Sequence, residues 1–334
     1  MVDSVSRERL LEMMTAFRAT YVLRAALELR VFDALEPGAA DAPAVAERLG
    51  ADPRGTRILL RALAAAGLLA TDGETFHLPP GAADLLVSTS PRYCGDNMRV
   101  AAGDLEWDTM RHLARAVRTG RPVVEHTADS PDFAYWADFA ANLTFVTRAG
   151  ADFVADLLGG DGPLDVLEAG CGHALYGLTL TGRDPGSRLW CLDGPPVLRA
   201  ARDQARRLGL TERTSFIEGD VFEAPLGGPY DVILAANLLC QFSRERSVEL
   251  LRRLAATLRP GGRLVVAGFT TGDEPPARAY HAHMLELLML AWTSGGQVHS
   301  TADLQQMLAA SGLAGAEAHT RPGLPVRVVV AERK

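Results

Sequence analysis

An apolar run with an acid two residues ahead of a close glycine pair, Leu164-Asp165-Val166-Leu167-Glu168-Ala169-Gly170-Cys171-Gly172-His173-Ala174-Leu175, constrains this chain more than any other segment. It reads as a strand that turns sharply into a helix. Gly170 and Gly172 remove the Cβ atoms that would keep the backbone away from a ligand. A dinucleotide fingerprint needs a third glycine, in a G-x-G-x-x-G spacing, so that helix and strand approach closely. The third position here is Leu175, which argues against nucleotide redox chemistry. Ala174 is expected to begin the following helix with little strain, alanine being a good helix former.

Two later acids extend the pattern. Asp193 closes the run Ser187-Arg188-Leu189-Trp190-Cys191-Leu192-Asp193. It falls about 20 residues after the turn, where a carboxylate at the end of a second strand accepts hydrogen bonds from a ribose diol. A third run, Thr214 to Phe222, contains Gly219, Asp220, Val221 and Phe222. It places Asp220 to meet an adenine amino group and Phe222 near the base. Strands are expected at 164–169, 188–193, 214–218, 230–236, 262–269 and 325–332, with helices between them. Such alternation implies an α/β, doubly wound, mostly parallel sheet whose crevice lies at the strand C-termini.

Charge and composition remove several classes of function. The chain has 334 residues, enough for two domains, and a net charge of −7, which disfavours a nucleic-acid partner held by phosphate contacts. No apolar run reaches the roughly 18–20 residues of a membrane span, since Met284 to Trp292 is interrupted by Glu286. The N-terminus, with Arg7, Glu8 and Arg9 ahead of any apolar stretch, lacks a secretory pattern, so a cytoplasmic location is expected. Cys94, Cys171, Cys191 and Cys240 form no C-x-x-C pair and are expected to stay reduced, without a metal. The one lysine is Lys334, which excludes P-loop and Schiff-base chemistry.

Ahead of the sheet the pattern is helical. Leu10, Met14, Phe17, Tyr21, Leu27 and Phe32 recur at helical spacing within Arg7 to Leu35 and need a partner to cover them. Asp41 to Leu49 and Asp52 to Ala66 form two short helices, and Asp72-Gly73 marks a hairpin within Leu68 to Leu78, together a winged helix. Between Asp41 and Pro80, Arg48, Arg54, Arg57 and Arg61 face Asp41, Glu47, Asp52, Asp72 and Glu74, so the module has no basic face for a DNA groove. Dimerisation is the expected role. A second helical stretch, Asn97 to Leu158, is broken at Gly120-Arg121-Pro122 and Ser130-Pro131 and carries Phe133, Tyr135, Trp136, Phe139 and Phe145. Expected domains are therefore 1–95, a helical connector at 96–158, and the sheet domain at 159–334.

The Glu168-x-Gly170-x-Gly172 turn resembles the acid-x-G-x-G-x-G turn of Rossmann-type methyltransferases, with Ala174 in place of the last glycine. Together with Asp193, Gly219-Asp220-Val221-Phe222, Tyr230-Asp231-Val232-Ile233-Leu234 and Leu258-Arg259-Pro260-Gly261-Gly262-Arg263-Leu264, the chain resembles the small-molecule O-methyltransferases, which include caffeate-type plant enzymes and bacterial tailoring enzymes. The resemblance implies a seven-stranded sheet domain, a homodimer held by the N-terminal helices, S-adenosyl-L-methionine as cofactor, and an aromatic or polyketide-like acceptor. Glu168, Gly170, Gly172, Asp193, Gly219, Asp220, Val221, Phe222 and Ala236 would form the cofactor site.

The resemblance breaks at the catalytic base. The family commonly places a histidine after the fourth strand, where this chain reads Asn237-Leu238-Leu239-Cys240-Gln241-Phe242. Cys240 stands at the histidine position. A thiol with an ordinary pKa near 8.5 is a poorer base at neutral pH than an imidazole. His281 and His299 are the alternative candidates, and His173 is expected to shape the glycine turn. Positioning and desolvation then carry most of the rate. The changed base also leaves open methylation of carbon or nitrogen, or use of the bound sulfonium for decarboxylation, hydroxylation or rearrangement.

Overall fold

The computed structural model describes residues 5–334 apart from 131–132, 143 and 161, and at 144–146 it describes the helix but not the side chains. Pro131 and the Phe145 side chain, both invoked above, lie outside the described residues. The chain divides into two compact units, 1–104 and 105–334, so the division falls inside the expected connector.

In the first unit, helices Arg7–Thr15, Phe17–Glu28 and Val31–Leu35 precede β1 (Ala40–Asp41), helices Ala42–Leu49 and Pro53–Ala65, and the hairpin of β2 (Ala70–Thr71) and β3 (Thr75–His77). The three strands pair antiparallel in the order β1-β3-β2. Local chemistry sets these boundaries. The Asp41 and Asp52 carboxylates accept from the backbone N–H of Ala44 at 2.8 Å and Gly55 at 2.7 Å, capping two helices that each carry a proline in the first turn. Val31, Phe32, Val45, Leu60 and Leu63 form the core of this unit, all fully buried. Helix Arg7–Thr15 buries none of its side chains, leaving Leu11, Met13 and Met14 exposed.

The second unit is built on a seven-stranded sheet: β4 (Asp165–Ala169), β5 (Arg188–Asp193), β6 (Thr214–Glu218), β7 (Tyr230–Ala236), β8 (Leu258–Phe269), β9 (Leu313–His319) and β10 (Val326–Arg333). Their order is β6-β5-β4-β7-β8-β10-β9. The first five run parallel, and β10 is antiparallel to both β8 and β9. The sheet class is as expected. Two details differ: β8 starts at Leu258 rather than 262, and the seventh strand that the resemblance implies is β9, at Leu313–His319, where the sequence pattern marks none.

Alternation along the strands feeds two apolar layers. Leu167, Ile233, Ala235, Leu264 and Val266 pack with Leu250, Leu254, Met307 and Leu308 from helices Arg244–Ala255 and Thr301–Ala310. Val166, Val232, Leu234, Val265 and Val328 pack on the other face with Val154, Leu175, Leu178, Leu198 and Ala201. Burying each such Leu or Val is worth about 1.5–3 kcal/mol, against about 0–1 kcal/mol for an exposed ion pair. The covered sheet, rather than surface arginine pairs such as Arg246–Glu249, therefore holds the unit together. Among the described residues, no helix is long and apolar enough to cross a membrane.

Candidate cofactor and acceptor site

β4 ends in the glycine turn. Gly170 and Gly172 have φ of +61° and +56°, the left-handed region that glycine tolerates best. Ala174 is there too, at φ +59°, and caps rather than begins helix Leu175–Thr181. The expected strain-free helix start is thus corrected: an L-residue in this conformation costs about 1–2 kcal/mol. The tight turn holds it, with the Ala174 N–H donating to the Cys171 carbonyl at 2.7 Å.

Two acids brace the turn from below. Glu168, 1% exposed, accepts from the Gly177 N–H at 2.8 Å, and its burial pushes the carboxyl up to about 8. Asp193, at the end of β5, accepts from the N–H of Gly172 at 2.9 Å and of Gly194 at 2.8 Å. Burial raises its pKa, and those two hydrogen bonds oppose the shift. After β6, Asp220 accepts from the Phe222 N–H at 2.6 Å. Gly219 donates to the Asp193 carbonyl at 3.1 Å, which ties the second and third strand ends together.

Glu168 makes stability pH-dependent in a specific direction. A carboxyl with a raised folded pKa binds its proton more tightly in the native state, so its contribution is lost as pH rises from about 4.5 to about 8. His173, pushed down to about 4 by burial, has the opposite sign, costing stability as pH falls from about 6.5 to about 4. Glu168→Gln isolates the first effect because both proteins keep His173. The thermal midpoint of the wild type minus that of the variant is expected to fall by about 5 °C or more from pH 5 to pH 8, a few kcal/mol at 1.36 kcal/mol per pH unit. A difference that stays flat across that range would contradict the assignment.

These groups open on a cavity of about 290 Å³. Glu168, Gly170, Gly172, Asp193, Gly219, Asp220, Val221, Ala236 and Cys240 all line it. Phe222 does not. Its ring packs edge-on to Phe242 at 5.0 Å and beneath the Arg246 guanidinium at 3.7 Å, turned away from the cavity. The opposite wall is aromatic, with Tyr135, Trp136, Phe139 and Trp292, while Phe269 enters the lining from the end of β8. Tyr135 and Trp292 meet at 4.7 Å, and Trp136 and Phe139 at 5.4 Å. Both indoles are anchored, Trp292 donating to Thr109 Oγ1 at 2.7 Å and Trp136 to the Ala128 carbonyl at 2.9 Å.

The candidate bases separate. Cys240 lines the cavity, but burial pushes its thiol up to about 12, and Sγ lies 3.6 Å from the Asn237 carbonyl. His281 is exposed on helix Tyr280–Trp292, beside Phe269, and lies outside the cavity lining. His299, 4% exposed, sits behind the cavity with Nε2 at 3.2 Å from the Leu239 carbonyl and 3.3 Å from Ser247 Oγ. Neither histidine is brought to the cavity, because helix phase and core packing point them elsewhere. His173 Nδ1 accepts from the Leu175 N–H at 3.2 Å, so the proton sits on Nε2, which donates to Thr147 Oγ1 at 3.1 Å. It ties helix Thr144–Leu158 to the turn. Asn237 and Gln241, flanking Cys240 in the segment after the fourth strand, also line the cavity, and so does Asp129, which belongs to no motif that marks it in the sequence.

A doubly wound sheet with a glycine turn, strand-end carboxylates and an aromatic wall facing them defines a small-molecule transferase of the nucleoside-cofactor type. The chain belongs to the O-methyltransferase family: residues 11–88 match the O-methyltransferase dimerisation domain and residues 165–314 the O-methyltransferase domain. It is 33% identical to acetylserotonin O-methyltransferase of Mus musculus molossinus, over 97% of this chain and 88% of that protein. It is 28% identical to the aclacinomycin 10-hydroxylase RdmB of Streptomyces purpurascens, over 89% of this chain and 82% of that one. The solved structure of PigF with SAH superposes with a TM-score of 0.83 at 27% identity, covering 98% of this chain and 100% of that one.

Proposed function

We propose that this enzyme transfers a methyl group from S-adenosyl-L-methionine to a hydroxyl of an aromatic small molecule. The observation that carries the acceptor class is the wall of Tyr135, Trp136, Phe139 and Trp292, held by its two anchored indoles, across the cavity from the glycine turn. Aromatic rings prefer offset or edge-to-face partners at these spacings, so the wall suits a flat ring better than an aliphatic chain.

The turn side fits the cofactor. At Gly172 an added Cβ would meet only Ala140 Cβ, at 4.0 Å, so a side chain there would fill cavity space rather than strike protein. The Asp193 and Asp220 carboxylates supply negative charge and acceptors for a diol and an amino group, while Val221 and Leu238 are apolar. When bound, the cofactor supplies an electrophilic methyl group on a sulfonium. The chain's residues orient and desolvate: the turn fixes one partner, the aromatic wall fixes the other, and together they exclude water. Such positioning contributes about 7–11 kcal/mol in favourable systems. With its thiol held protonated, Cys240 is not the base.

Incubation of purified enzyme with the cofactor and a panel of phenols and hydroxyquinones tests the reading. One S-adenosylhomocysteine is expected per acceptor, with the new methyl on oxygen by NMR. Calorimetric cofactor uptake without any O-methylated product would overturn it. The hydroxylase among the relatives makes one second reading specific: an oxygenated product formed without S-adenosylhomocysteine.

The active form is proposed to be a homodimer. The dimerisation-domain match and the exposed Leu11, Met13 and Met14 of helix Arg7–Thr15 support this. Light scattering is expected to give twice the chain mass, and Leu11→Glu with Met14→Glu to shift it toward the monomer. A wild-type monomer at micromolar concentration would refute it. The four free cysteines suit a reducing, cytoplasmic setting.

A further inference from the structure

We infer that Asp129 takes the proton of the acceptor hydroxyl, a catalytic role that position 240 does not fill. The inference rests on the O-methylation reading and deepens it. Each other carboxyl group of the cavity is committed to backbone N–H groups: Glu168 to Gly177, Asp193 to Gly172 and Gly194, and Asp220 to Phe222, at 2.6–2.9 Å. All three hang from the strand-end side.

Asp129 stands on the opposite wall. The Ala128 N–H donates to the Trp292 carbonyl at 2.8 Å, which fixes the segment against the aromatic cluster that also holds Cys240. The Asp129 oxygens lie 3.4 and 3.3 Å from the Ser294 N–H, long contacts that leave most of their accepting capacity unused. The loop of Ser294 is itself pressed on Cys240 and Gln241. The Gly296 N–H donates to Thr293 Oγ1 at 2.7 Å, and a Cβ on Gly296 would come within 2.6 Å of the Cys240 carbonyl oxygen. One loop thus brings the Asp129 carboxylate to the Cys240 wall, half-buried and lining the cavity.

The step balances with groups already named. The acceptor oxygen forms the new O–C bond with its own electron pair, and the methyl–sulfur bond breaks with its pair returning to sulfur. The hydroxyl O–H bond breaks and its proton passes to the Asp129 carboxylate. A carboxylate is a weak base, so it serves when the proton leaves as the oxygen attacks, and its worth falls as the acceptor becomes more acidic.

That dependence is the test. Wild type and Asp129→Asn are compared at about pH 8 with 2-naphthol, which carries its proton there, and 4-nitrophenol, which is largely ionised there. With 2-naphthol, kcat is expected to fall on the order of 10²-fold or more in the variant, and with 4-nitrophenol only about threefold or less. Calorimetric affinity for S-adenosylhomocysteine should be unchanged. A readout without turnover accompanies it: in the S-adenosylhomocysteine complex, bound 4-nitrophenol should show its phenolate absorption at lower pH in Asp129→Asn, because a neighbouring negative charge is gone. Equal losses with both probes, no loss with either, or an unmoved phenolate midpoint would overturn the inference. If the wild type binds S-adenosylhomocysteine yet methylates no hydroxyl acceptor, the function reading fails and carries this inference with it.

Discussion

Gly170→Val is expected to reduce affinity for S-adenosylhomocysteine by about 30- to several thousand-fold while the sheet stays folded. Two costs meet at this residue. Its φ of +61° is in the left-handed region, which charges an L-residue about 1–2 kcal/mol and a β-branched one more. A Cβ there would also sit 2.7 Å from Leu238 Cδ1, well inside van der Waals contact, and Leu238 is 5% exposed and has little room to yield. Overpacking of that kind costs about 1–3 kcal/mol. The turn escapes both costs by moving away from the cavity, so affinity falls. Gly170→Ala should lie between the two proteins. Calorimetry reads the affinity and circular dichroism the fold; a valine variant that binds as the wild type does would show that the turn takes no part.

Asp193→Ala should cost a similar amount by a different route. Its carboxylate accepts from Gly172 and Gly194, and hydrogen bonds to a charged group are worth about 1.5–3 kcal/mol each. Their loss frees the turn from β5 and leaves two N–H groups unsatisfied. Affinity for S-adenosylhomocysteine is expected to drop about 10²- to 10⁴-fold. Asp193→Asn should recover only part of this, since its amide NH₂ would face one of the two N–H donors. Wild-type affinity in the asparagine variant would mean that the clamp does not depend on the carboxylate.

The turn side of the cavity was legible in the sequence because its chemistry is local. Glu168, Gly170, Gly172, Asp193 and Asp220 fall at spacings that strand ends dictate. The acceptor side was not, because it is assembled from loops and helices with no shared motif. Asp129 precedes Ser130-Pro131, which reads only as a helix break, and its importance arises only when Ser294, far along the chain, packs beside it. His281 and His299 fall in the right sequence regions, yet a residue number reveals neither which way the His281 helix face turns nor that the His299 loop packs into the core. Strand β9 escaped notice because Leu-Ala-Gly-Ala-Glu-Ala-His is poor in β-branched residues, and an edge strand paired on one side tolerates that. Ala174 looked like an ordinary helix start, since its sequence position carries no sign of a left-handed backbone.

The placement of β10 between β8 and β9 sets the timetable of biosynthesis. A nascent chain released through His319 lacks β10, so β9 has no neighbour to join and β8 shows a bare border. Such borders recruit other chains. Ribosomal stalling or premature termination over the last stretch would therefore yield a sticky fragment rather than a slightly shortened enzyme.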